Sequence, residues 1–89
     1  MKIIKIGAVW CPGCLVMKKV WKNILNDYDN LDIIELDLDM DSIEANKYNP
    51  GKVLPVTIFL DDNNQELERL IGEVCEDNLR KVIDKYVKD

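Results

Sequence analysis

The chain has 89 residues, of which 47% are hydrophobic and 33% charged, an ordinary balance for one soluble globular domain spanning residues 1–89. Its net charge of −5 argues against a nucleic-acid partner, which needs a clustered basic face, and its apolar runs are too short for a membrane span. Three cysteines are not the even set of a secreted disulfide scaffold, and the absence of histidine removes the commonest metal ligand and the commonest neutral-pH base.

The opening stretch MKIIKIGAVW lacks the long apolar core and small-residue cleavage site of a signal peptide, so it reads as a buried strand over about residues 2–8. Cytoplasmic residence is expected. Cys14, Met17, Trp21, Ile24 and Tyr28 step by three and four, with Lys18, Lys19 and Lys22 off the stripe. This predicts an amphipathic helix over about residues 12–28, with Trp21 in the core. After the turn cluster DYDNLD, the run IIELDLD alternates as a second strand. Ile34, Leu36 and Leu38 share one face, and Ile33, Glu35, Asp37 and Asp39 the other. Residues 42–48 allow a short helix capped by Asp41 or Ser42. VLPVTIFL is the third strand with Pro55 near its start, DDNN a hairpin turn, and QELERLIG the fourth strand. Leu79, Val82, Ile83, Tyr86 and Val87 predict a last helix over about residues 76–87. The order β-α-β-α-β-β-α belongs to an α/β domain with a four-stranded mixed sheet flanked by helices. The first two strands should be parallel and the last two an antiparallel hairpin.

The stretch Cys11-Pro12-Gly13-Cys14 stands where the first strand ends and a helix begins. Proline is favoured at the first helical position, because its missing N–H would be unpaired there anyway. That makes Cys11 the N-cap. Its sulfur would sit where free N–H groups and the positive helix end favour the thiolate, the reactive form. Cys14 lies one turn on, on the same face and within disulfide reach. It begins the buried stripe and is expected to be the less exposed of the pair. The implied chemistry is ordered: Cys11 attacks a substrate disulfide and Cys14 resolves the mixed disulfide. A zinc site is the alternative, but it needs about four ligands and Cys75 alone cannot complete a set. A pair of unreactive core cysteines is the other alternative. No metal or cofactor is expected.

Three further features have bland readings. Asp37, Asp39 and Asp41 resemble the start of a calcium loop, but Ser42 and Tyr48 stand where that loop wants Gly and Glu. Cys75 precedes the last helix, and Glu76 and Asp77 oppose its ionisation, so it is expected to be structural. Acidic residues crowd positions 27–44 opposite the lysines of the first helix, which reads as a solvated surface.

The chain resembles the thioredoxin family. The resemblance rests on Trp10 through Cys14 after a strand, Leu54-Pro55-Val56 opening the third strand, Ile71-Gly72 closing the fourth, and the amphipathic final helix. It covers essentially the whole chain, without the strand and helix that thioredoxins carry ahead of the active-site strand. In size it is nearer a minimal, glutaredoxin-like version of the thioredoxin-like fold. The resemblance implies a protein disulfide oxidoreductase with Cys11 as nucleophile and Cys14 as resolving thiol. It makes Pro55 the family's cis-proline, although only about 5–6% of X–Pro bonds are cis. Leu54 would offer its backbone to an extended substrate segment. Trp10, Pro12, Gly13 and Gly72 would border the docking surface. The implied partners are disulfide-containing proteins and an unidentified reductase or thiol pool, with the chain a monomer. Glutathione-coupled exchange of the glutaredoxin kind, or a non-catalytic binding module of the same fold, are the competing readings.

The chain departs from the family in three places. Pro-Gly replaces the usual Gly-Pro between the cysteines, and Gly7 stands where a large aromatic is usual. Lys5 occupies the place of the family's buried aspartate, and Glu35 that of its lysine partner. Lys5 and Glu35 are therefore expected to face each other beneath Cys14. Glu35, its pKa raised by desolvation, would relay the proton as Cys14 attacks. The alternative places Lys5 in solvent and Glu35 on the strand surface.

Overall fold

The computed structural model describes residues 1–87. It runs β1 (Lys2–Gly7), α1 (Pro12–Leu25), β2 (Asp32–Asp37), α2 (Ser42–Asn46), β3 (Val56–Leu60), β4 (Glu66–Ile71) and α3 (Glu76–Tyr86). The strands form one sheet in the order β2-β1-β3-β4. β1 pairs in parallel with β2, from Lys2 opposite Asp32 to Gly7 opposite Asp37, and antiparallel with β3. β3 and β4 form the antiparallel hairpin. The expected order and strand directions are all present.

Several boundaries differ from the sequence reading: β2 ends at Asp37 rather than Asp39, other strand ends shift by a residue, and three differences have a local cause. α1 ends at Leu25 rather than near residue 28, because Asp27 and Tyr28 both donate to the Ile24 carbonyl and close the last turn. β3 begins at Val56, after the proline rather than before it, since Pro55 has no N–H to give a ladder. α2 is a single short turn whose N-cap Asp41 makes no capping bond; its Oδ2 instead accepts the Asp37 N–H at 2.9 Å. The hairpin tip is as expected. Asp61 Oδ1 accepts from the N–H groups of Asn63 and Gln65, and Asn64 supplies the left-handed residue at φ 62°.

The strand alternation divides the core into two layers. Ile3 and Phe59 meet Met17, Trp21 and Ile24 of α1 and Leu79 and Ile83 of α3. Ile4, Ile6, Val56, Ile58 and Leu60 cover the other face with Ala45 of α2. Each such side chain contributes roughly 1.5–3 kcal/mol when fully buried. Helix ends agree with the macrodipole, with Glu76 and Asp77 in the first turn of α3 and Lys85 in its last. β1 turns its odd-numbered residues toward α1. Two of these, Lys5 and Gly7, lie past the apolar layer, against Trp21 and Cys14 of α1.

Candidate active site

Cys11 is the N-cap of α1, with an extended backbone at φ −91° and ψ 112° and Pro12 in the first turn. Its Sγ accepts the Cys14 N–H at 3.2 Å, and its own N–H donates to the Ala8 carbonyl at 3.1 Å. An anion on this sulfur is stabilised by a helical N–H and by the helix end. Both cysteines are free thiols, one helical turn apart.

Their exposure is the reverse of the expectation. Cys11 is only 4% exposed, whereas Cys14 is partly exposed. The reason lies in β1. A Cβ on Gly7 would fall 2.9 Å from Cys14 Sγ, so the sulfur occupies the space that a side chain at position 7 would take. A cavity of about 430 Å³ opens there, walled by Gly7, Cys14, Lys18, Glu35, Asp37 and Thr57 among others. The Cys14 thiol is pushed up to about 11 by burial first, then by its hydrogen bond with Cys11, with the charges of Cys11 and Asp37 adding to the effect.

Lys5 and Glu35 pair across the β1–β2 register, as expected, with Nζ 2.7 Å from Oε1. Lys5 is largely covered and its ammonium lies 4.8 Å from the Trp21 ring centre, a cation–π contact. The desolvated carboxylate is not found. The Glu35 side chain is 74% exposed, and the Lys5 hydrogen bond and charge hold its pKa below the usual carboxylate range. The expectation of a raised Glu35 is corrected: strand β2 is an edge strand, and water reaches its outer carboxylate. The carboxylate that acts electrostatically on Cys14 is Asp37, two residues on and opposite Gly7.

Of the residues expected to border a docking surface, Pro55, Gly72 and Gly13 lie together. The Leu54–Pro55 bond is cis, and the Pro55 carbonyl accepts the Gly72 N–H at 2.8 Å. Gly72 has φ 82°, a conformation that favours glycine. Gly13 is buried between Pro55 Cδ and the Glu73 side chain, both within 3.2 Å of where its Cβ would be. Pro12 is exposed, and Leu54 half-buried outside the β3 ladder. Trp10 is 60% exposed, yet its Nε1 donates to Asp39 Oδ2 at 2.7 Å. Asp39 in turn donates its N–H to Asp37 Oδ1, so the β2–α2 loop holds the indole in place. In the sequence Asp39 reads as one acid of a polar face and of a failed calcium loop, and no local signal ties it to Trp10. Nor does any local signal place Glu73 beside Gly13.

Cys75 is exposed at the N-cap of α3 and its side chain makes no capping bond. Among the described residues, no three His, Cys, Asp or Glu side chains gather where they could hold a metal ion. No described helix is long and apolar enough to cross a membrane.

Comparison with known proteins agrees with this geometry. The Thioredoxin family model matches residues 1–85. A thioredoxin of Staphylococcus epidermidis is 28% identical over 88 residues, covering 98% of this chain and 83% of the relative. The thioredoxin NaTrxh of Nicotiana alata superposes with a TM-score of 0.83 at 28% identity, over 98% of this chain and 75% of that one. Thioredoxin-2 of the malaria parasite gives 0.82 at 26% identity, over 96% and 84%.

Proposed function

The chain belongs to the thioredoxin family, and on that footing we propose that Cys11 is its nucleophile and Cys14 its resolving thiol. The activity is thiol–disulfide exchange on disulfide-containing substrates, the chemistry of the family. The observation that carries the assignment of roles is the cap: Cys11 Sγ receives the Cys14 N–H at 3.2 Å while Cys14 is pushed up to about 11. The first sulfur takes a helical N–H at the helix start, and the second holds its proton. Cys11 thiolate attacks a substrate sulfur, and the bond between the substrate's sulfurs breaks. Cys14 then loses its proton, attacks Cys11 Sγ and releases the second substrate thiolate.

An extended protein segment would lie along Leu54 and Pro55, its backbone meeting that of Leu54 outside the β3 ladder. Exposed Trp10 and Pro12 border it on one side, and Gly72, without a side chain, on the other. Lys5 and Glu35 fix each other beneath the site by their ion pair, and Glu35 carries no proton at neutral pH. The physiological setting we assign is the cytoplasm, with the chain a monomer, protein disulfides as substrates and a reductase or thiol pool as electron source.

The test is equilibration in graded glutathione buffers with thiol trapping, beside insulin reduction by the wild type and the Cys11→Ser and Cys14→Ser variants. A potential near about −270 mV fits a thioredoxin-like reductant, and one above roughly −200 mV fits glutaredoxin-like exchange. Cys11→Ser should abolish insulin reduction, and Cys14→Ser should stall at a mixed disulfide on Cys11. Failure of the wild type to form a Cys11–Cys14 disulfide at any poise would overturn the assignment.

A further inference from the structure

We propose that Glu73 makes the protein selective for disulfides flanked by lysine or arginine, its carboxylate meeting the basic side chain while the substrate cysteine lies against Cys11. The proposal rests on the redox assignment of Cys11 and names a substrate class for it.

Glu73 is held over the start of α1 by its neighbours on both sides. The Gly72 N–H donates to the Pro55 carbonyl at 2.8 Å, and the Val74 N–H meets Met17 Sδ at 3.5 Å. With the backbone pinned between these contacts, the side chain lies on Gly13. Glu73 Cγ is 3.1 Å and its Oε1 3.2 Å from where a Gly13 Cβ would be, and Pro55 Cδ is 3.2 Å from the same point. The carboxylate therefore stands beside Pro55 and beside a residue that separates the two cysteines. Gly13 is buried there, while Glu73 itself is exposed.

The charge of Glu73 has no partner within the described chain. Glu35, Glu44, Glu66, Glu68 and Glu76 each form an ion pair with a lysine or arginine. Among the described residues Glu73, the remaining glutamate, forms none. Lys52 is next in the chain to Val53, whose Cγ1 is 3.4 Å from where a Gly72 Cβ would be, yet no ion pair joins Lys52 to Glu73. Lys18 lines the cavity on the Cys14 side.

An extended segment docked along Leu54 and Pro55 advances about 3.4 Å per residue. A lysine or arginine within a residue or two of the attacked cysteine then reaches a carboxylate beside Pro55, and an acidic residue in its place is repelled. An exposed pair of this kind adds little to stability, but it discriminates, because one carboxylate attracts one substrate and repels the other. The exchange step keeps its form. Cys11 thiolate bonds to the substrate sulfur, and the electron pair of the broken disulfide leaves with the other substrate sulfur.

The experiment uses short capped peptides with a single cysteine, each joined to its own copy as a disulfide dimer. They differ only in whether lysine, glutamine or glutamate flanks the cysteine. Single-turnover reduction is measured with the reduced Cys75→Ser protein, which lacks the exposed third thiol, and with the same protein carrying Glu73→Gln, which keeps the side-chain length over Gly13. Dividing each peptide's rate by its rate with Glu73→Gln cancels the peptide's own reactivity. At low ionic strength the quotient for the lysine peptide should exceed that for the glutamate peptide by about threefold or more, with glutamine between them. At about 1 M salt the quotients should converge. Glu73→Lys should reverse the order, a second reading that does not depend on how well the glutamine variant folds. Equal quotients at low salt, or a preference that high salt leaves intact, overturn the proposal. If the protein with Glu73 in place reduces none of the peptides, the redox assignment itself fails and the proposal falls with it.

Discussion

Replacing Cys11 by alanine and by serine separates the structural duty of this sulfur from its chemistry. Both variants remove the nucleophile. Serine keeps an oxygen where the sulfur accepts the Cys14 N–H at 3.2 Å, on a backbone already extended at φ −91°. Alanine leaves that N–H without its partner in a place that is only 4% exposed. Loss of an N-cap costs about 1 kcal/mol, within a range of roughly 0.5–2. For a domain of this size, about 1 kcal/mol shifts the thermal midpoint by roughly 4–8 °C. Under reducing conditions, Cys11→Ser should melt within a few degrees of the reduced wild type, and Cys11→Ala about 4–8 °C below Cys11→Ser. Urea unfolding should show the same difference with an unchanged slope. Equal midpoints for the two variants would mean that the sulfur does not cap α1, and the account of why Cys11 is the reactive thiol would go with it.

The Cys14 thiol, raised from 9.0 to about 11, should show in the pH dependence of its own alkylation, followed by peptide mass spectrometry on the reduced protein, as an ionisation near pH 11; a midpoint near 9 would contradict the burial argument. Because the unfolded thiol ionises first, this group's contribution to stability is complete below pH 9 and is lost as pH rises toward 11, which urea titrations at several pH values would detect. Glu35→Gln should change the single-turnover rate of mixed-disulfide resolution by less than about twofold and stability by no more than about 1 kcal/mol, since its pair with Lys5 is open to water on the carboxylate side. A tenfold slowing would restore the proton relay. Phe59→Ala removes a fully buried ring from the layer between α1 and α3 and should cost about 3–5 kcal/mol in urea unfolding. A loss under about 1 kcal/mol would mean that layer is not the core.

Much of the fold is legible in the residues because its signals are local. The alternation of IIELDLD sets the faces of β2, and the step from Met17 to Trp21 to Ile24 sets the buried stripe of α1. Pro12 after Cys11 places the helix start and hence the cap. The elements' ends are less legible. Tyr28 continues the helical stripe, yet the chain turns at Ile24's carbonyl, and only the packing of Tyr28 against the core shows why its apolar spacing persisted.

At the site, the sequence by itself determined the pair of thiols, their spacing and the cap, which depend on neighbours in the chain. The pairing of Lys5 with Glu35 is an expectation of the family resemblance that the register of β1 and β2 decided. Tertiary structure alone decided which thiol is covered. Gly7 and Cys14 are seven residues apart on different elements, and the missing Cβ matters only because α1 brings Cys14 Sγ over it. It also decided which carboxylate acts on Cys14, placing Asp37 opposite Gly7 while the edge position of β2 leaves Glu35 in water. Exposure and electrostatic reach are sums over everything packed nearby, and a pattern along one strand carries only its own part of them.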